Sequence, residues 1–227
     1  MDIRQYLLYF FALIIVMISQ SLLSTNYQKY RKMPTIHNMR GCDVAKFILN
    51  RNGIYDVEVV PSNNGTLSDY YDPKRKIVCL SSDIYYNSSI ASVSVAAHEV
   101  GHALQHAKGY SFIALRNKML PATQIASQFG WLSVFIGLFL AFDLIFWFGV
   151  IALVVVLLFQ VVTLPIEFNA SSRAIEQLTS NGIIEMNEVP SARKMLNAAA
   201  FTYVAALIST IAQILRVLII RNNRNRD

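Results

Sequence analysis

Charge, histidine and cysteine are all scarce in this chain, and each shortage excludes something. Only 15% of the residues are charged while 54% are apolar, whereas ordinary soluble domains carry about a quarter charged residues. So much apolar surface points to a bilayer rather than to a water-soluble globule. The two cysteines, Cys42 and Cys79, lack metal-type spacing and are too few for a disulfide framework, which suits a reducing compartment. The net charge of +6 shows no basic patch interleaved with aromatics, so nucleic acid is not an expected partner. The basic residues flank apolar runs instead, where they read as membrane topology signals. No internal repeat and no low-complexity linker stands out.

What is present is length in the apolar runs. A bilayer-crossing helix needs about 20 apolar residues. Four charge-free stretches reach that length: Gln5 to Gln28, Met119 to Phe142, Leu144 to Ile166, and Met195 to Leu215. The first also fits a signal peptide, with Ser19 and Ser21 framing a cleavage site. The second and third read as a helical hairpin turning at Asp143, which belongs in the headgroup layer. The fourth is the most polar, and Arg216 lies near enough to its end to snorkel.

A two-span hairpin returns the chain to the side it left. Residues 24 to 118 and 167 to 194 therefore face one compartment. Ten lysines and arginines flank the spans on that side: Lys29, Arg31, Lys32, Arg40, Lys108, Arg116, Lys118, Arg173, Arg193 and Lys194. Four stand opposite, Arg4, Arg221, Arg224 and Arg226, and the excess puts the polar segments in the cytoplasm. The expected organisation is an N-terminal anchor over residues 1–28 and a catalytic region over 29–118. A transmembrane hairpin over 119–166 and a helical segment over 167–194 follow, then a C-terminal span over 195–220 and a basic tail over 221–227.

Within the first polar segment, "VAKFILNRNG" (Val44 to Gly53) looks helical with a glycine stop. "DVEVVPS" and "RKIVCLS" alternate like short strands, separated by the turn formers of "SNNGTLSDYYDP". Ser88 or Ser89 can cap a helix running to Ala107 and ending at Gly109. The strand "KIVCLS" before that helix is either an edge able to pair an extended substrate or an ordinary paired strand.

That helix holds three of the chain's four histidines, in "VAAHEVGHALQH". His98 and His102 are four apart, so their rings share one face and can hold a metal ion between them. Glu99 lies about 100° round the helix from His98 and about 60° from His102. There it can flank a metal without ligating it. This is the HExxH arrangement, in which zinc is the Lewis acid and Glu the general base. By chance it is expected in fewer than about one such chain in a hundred. His106 lies about 12 Å along the axis from His98, too far to share the ion, and reads as a partly exposed polar residue. His37 reads as an ordinary surface histidine.

A catalytic zinc takes three protein ligands and one open position, and no usable histidine remains for the third. In "LPIEFNASSRAIEQL", Glu167 is the first charge after the third span. Pro165 suits a helix start there. Ala170, Ser171 and Ala174 lie on or near the Glu167 face and would let that helix approach the histidine helix closely. Glu176 is the rival and lacks that small face. Arg173 and Tyr203 are weak candidates for an oxyanion donor.

"AAHEVGHALQ" followed by an apolar hairpin and "LPIEFNASSRA", with "GTLSDYYDPKRKIVCLSSDIY" upstream, resembles the YugP-like family of membrane-bound neutral zinc metallopeptidases. The likeness covers nearly the whole chain. It implies one zinc per chain held by His98, His102 and Glu167, with Glu99 as catalytic base acting on a peptide or protein substrate. Distantly similar membrane peptidases tend to carry an Asp four residues after the ligand Glu, where this chain has Ser171. The expected fold is a mainly α, multi-pass cell-membrane protein. About four transmembrane helices would accompany a small α+β, zincin-like catalytic region on one side of the lipid bilayer.

Overall fold

A computed structural model of the protein describes residues 3–224; Arg226 and the last residues of the basic tail lie outside the described range. Helix α1 (Ile3–Tyr30) follows from a run with no charge between Arg4 and Lys29. Helix α2 (Gly41–Arg51) stops where Gly53 takes a φ of 72°, a conformation glycine adopts without steric cost. Strands β1 (Glu58–Ser62), β2 (Tyr70–Asp72) and β3 (Ile77–Ser81) come next, then the short helix α3 (Ser82–Tyr86). Helix α4 (Ile90–Ala107) begins where the Ser89 hydroxyl accepts the Ser92 N–H at 3.1 Å. Three long helices complete the chain: α5 (Ser111–Phe139), α6 (Asp143–Ser180) and α7 (Val189–Arg224).

Helices α1, α5, α6 and α7 are each long and apolar enough to cross a membrane. Their outward residues include Phe139, 86% exposed, and Leu144, 73% exposed. Side chains of that kind in such numbers call for lipid around them.

The sheet order is β1-β3-β2, with β1 parallel and β2 antiparallel to β3. All five residues of β3 are buried. The "KIVCLS" strand is thus the paired centre of the sheet, and the edge alternative falls. An all-apolar run closed by one serine is what a strand covered on both sides requires. Strand β2 sits inside the segment that reads as turn, because three residues carry too little alternation to register.

A second difference concerns Pro165. The sequence suggests that a helix starts there, yet α6 runs unbroken through it for 38 residues. A mid-helix proline removes one backbone donor. Membrane helices tolerate it when neighbouring groups satisfy the freed carbonyl. The helical segment that carries Glu167 is therefore a continuation of the third apolar run.

The chain divides into two compact units: Met1–Gln20, Ala114–Pro165 and Phe201–Asp227 form one, and Ser21–Ile113 with Ile166–Ala200 form the other. In the first, α5 and α6 meet through glycines. A Cβ at Gly149 would lie 2.6 Å from the Val134 nitrogen, and one at Gly137 would collide with the Phe146 backbone. Small residues at such crossings let membrane helices pack backbone to backbone. Asp143 opens α6 and pairs with Arg221 at 2.6 Å, and the Arg221 guanidinium lies 5.1 Å from the Phe146 ring centre. About two turns of α7 follow Arg216. Its guanidinium stands over the Tyr9 ring at 4.7 Å, an attraction of the cation–π kind.

The second unit has its own core. Val44, Ile48, Val78, Leu80, Val93, Val100 and Leu178 are all essentially inaccessible there. Helix α4 lies at its centre against α2 and the sheet. Four of its alanines, Ala91, Ala96, Ala97 and Ala103, are at most 1% exposed. A helix enclosed on nearly every side needs side chains this small.

Candidate metal centre

Helical period alone brings His98 and His102 together: their ring centres are 4.8 Å apart and nearly perpendicular. Glu167 approaches both from α6. Its Oε2 lies 3.3 Å from His98 Nε2 and 3.6 Å from His102 Nε2. One donor atom from each of the three residues falls within 4.8 Å of the others. The Glu167 side chain is 5% exposed, and each imidazole 14%.

Such a set can hold a metal ion. Zinc bonds of about 2.0–2.2 Å to imidazole nitrogen and carboxylate oxygen put tetrahedral ligand atoms roughly 3.3–3.6 Å apart, which the two contacts to Glu167 match. Burial works against charging His102, but the neighbouring Glu167 and Glu99 carboxylates outweigh it and raise its pKa above the ordinary value.

The close approach of α6 to α4 depends on small residues from both helices. Ala170 and Ala174 are fully buried, as the pattern around Glu167 predicts. The matching residue on α4 is Gly101, between the two histidines. A Cβ there would lie 2.7 Å from the Ala170 carbonyl oxygen. Sequence reasoning passed over Gly101, although a glycine inside a helical motif is itself a signal of a packing constraint.

Both histidines have partners behind them. Ser171 Oγ lies 3.2 Å from His98 Nδ1, so a hydroxyl reaches the ring from α6. Gln105 Oε1 lies 3.0 Å from His102 Nδ1. Gln105 also escaped the sequence reading, although its i, i+3 relation to His102 was visible.

The other candidates lie outside this three-donor set. Glu99 is buried at 8% exposure. Glu176 is exposed on α6. His106 is exposed, with its Nδ1 2.9 Å from the Tyr71 hydroxyl, and His37 is on the surface. Arg173 gives its Nε–H to Asn169 Oδ1 at 2.7 Å. Tyr203 belongs to the other unit. Asp69, just before β2, accepts the Ser81 backbone N–H at 2.7 Å and the Ser81 hydroxyl at 3.1 Å. Burial pushes its pKa up to about 6, against those hydrogen bonds and with help from the Glu99 charge.

A family model described as "Putative neutral zinc metallopeptidase" matches residues 5–222 of the chain. Over 210 residues the chain is 42% identical to a protein of Bacillus subtilis (strain 168) named "Putative membrane protease YugP", covering 92% of this chain and 93% of that one. No solved structure matches it.

Proposed function

Because this chain belongs to the neutral zinc metallopeptidase family, we propose that it is a multi-pass membrane endopeptidase whose zinc is held by His98, His102 and Glu167. The observation that carries this reading is the convergence of the three donors, 3.3 and 3.6 Å apart across Glu167, in a largely buried setting. The same contacts support a zincin-like catalytic region built from residues 29–118 and 167–194. The spans over 1–28, 119–166 and 195–220 would anchor it, with 221–227 as a basic tail, and the charge bias favours a cytoplasmic site.

Bound there, one zinc per chain supplies Lewis acidity to a water molecule and to the scissile carbonyl. The protein's own residues do the rest. Glu99 is one residue from His98 on α4, where its carboxylate takes a proton from the attacking water. As the C–N bond breaks, Glu99 passes that proton to the leaving amine. His98, His102 and Glu167 contribute by position, since their partners hold the rings in place.

The test compares the purified, detergent-solubilised, zinc-loaded protein with its Glu99→Gln variant on an unfolded protein substrate. Cleavage by the first and none by the second, with zinc content equal, is the expected result. Equal cleavage by both would remove Glu99 from the mechanism. Zinc retention without cleavage in either would favour a structural zinc site.

A further inference from the structure

Gln105 is a polar side chain with no exposed surface, and every hydrogen-bonding atom of its amide is engaged. Its Nε2 lies 2.8 Å from the Ile166 carbonyl and 3.0 Å from Asn169 Oδ1, and its Oε1 lies 3.0 Å from His102 Nδ1. We propose that Gln105 is a positioning residue that holds His102 as the Nδ1–H tautomer, leaving Nε2 bare toward the metal. The inference rests on the zinc-site reading above.

The argument runs on which groups can only accept and which can only donate. A backbone carbonyl has no hydrogen to give. The Gln105 atom facing Ile166 is therefore the NH2, and the atom facing His102 is the oxygen. The reversed amide would press an oxygen against two acceptors, each within 3.0 Å. Asn169 is fixed in the same way, because Arg173 only donates and its Nε meets Asn169 Oδ1 at 2.7 Å. Arg173 thus belongs to a relay that runs through Asn169 and Gln105 to His102.

An oxygen that can only accept obliges His102 Nδ1 to carry the hydrogen. In the neutral ring His102 Nε2 then turns a lone pair toward the Glu167 carboxylate 3.6 Å away. Two acceptors facing each other inside a protein need a cation between them. Gln105 serves the other ligand as well, since the carbonyl it holds belongs to Ile166, directly before Glu167. One side chain on α4 therefore orients a ligand on its own helix and tethers the backbone beside a ligand on α6.

The experiment uses the full chain in detergent micelles, metal-free, with 15N-labelled histidine, at alkaline pH where the rings are neutral. With four histidines in the sequence the spectrum is sparse, and His102→Asn identifies the His102 signals. Two-bond 15N–1H couplings report the tautomer. Wild type is expected to show His102 protonated on Nδ1. In Gln105→Leu the Nε2–H form should appear, because Nε2–H can then donate to Glu167. Zinc affinity, read by chelator competition, should fall about 10- to 100-fold. A wild-type His102 protonated on Nε2 overturns the proposal whatever the variant does. So does a folded Gln105→Leu with unchanged tautomer and affinity. A wild type that binds zinc but carries the wrong tautomer leaves the peptidase reading intact, whereas a wild type that binds no zinc removes that reading too.

Discussion

Gly101 and Ala170 meet backbone to backbone: a Cβ on the glycine would stand 2.7 Å from the alanine's carbonyl oxygen and 3.2 Å from its Cα. Neither atom is the end of a flexible side chain, so the only relief is to move one helix. Gly101→Ala gains about 1 kcal/mol in helix propensity and incurs an overpacking cost of typically 1–3 kcal/mol or more. The expected net result is a less stable protein with weaker zinc binding, because Glu167 lies one turn from Ala170 on the helix that must shift. Thermal unfolding together with chelator competition checks both parts.

Ser171 gives a prediction with a built-in rescue. Its hydroxyl is 3.2 Å from His98 Nδ1, the ring nitrogen on the far side from Glu167. Ser171→Ala should reduce zinc affinity by about tenfold, in line with the loss of an outer hydrogen-bond partner. Ser171→Asp should restore it or exceed the wild type, since a carboxylate is the stronger acceptor. Titration with a zinc chelator of known affinity reads the order of the three proteins.

Metal removal should be visible as stability. A ligand that binds the folded state alone stabilises it by about 2.7 kcal/mol at a hundred times its dissociation constant. Chelation should lower the unfolding midpoint and added zinc should restore it. In Glu167→Ala the midpoint should respond far less to zinc. A variant that answered zinc as fully as wild type would exclude Glu167 as a ligand.

Asp69 predicts a pH effect whose sign is unusual for an acid. Its folded pKa of about 6 lies above the ordinary 3.8 because the carboxyl is largely buried. The folded protein therefore binds more protons than the unfolded chain between those values, and stability falls as pH rises from about 4 to 6. Asp69→Asn keeps an acceptor for Ser81 and removes the titration. Its unfolding midpoint should decline less across that window than that of the wild type.

How legible all this was depended on sequence distance. The i, i+4 relation of His98 and His102 follows from helical period, and so does the small face of α6 at Ala170 and Ala174. The four apolar runs announced themselves by length, and helices long enough to span a membrane carry them all. The bond between Gln105 and the Ile166 carbonyl bridges 61 positions, and no local pattern encodes such a contact. Pro165 misled because its rule comes from helices in water, where a freed carbonyl turns to solvent and the helix ends. Strand β2 exists only because β3 is there to pair it, with Tyr70 opposite Cys79. Local propensity cannot see a partner strand.

The two thiols have a practical consequence. Cys42 and Cys79 are both buried and unpaired, and they are the chain's whole complement of sulfhydryls. A third cysteine introduced at an exposed position such as His37 or Glu176 would react with a bulky, membrane-impermeant maleimide ahead of the native pair. Labelling of intact cells against opened ones would then show which side of the bilayer each position faces, with the native cysteines left in place.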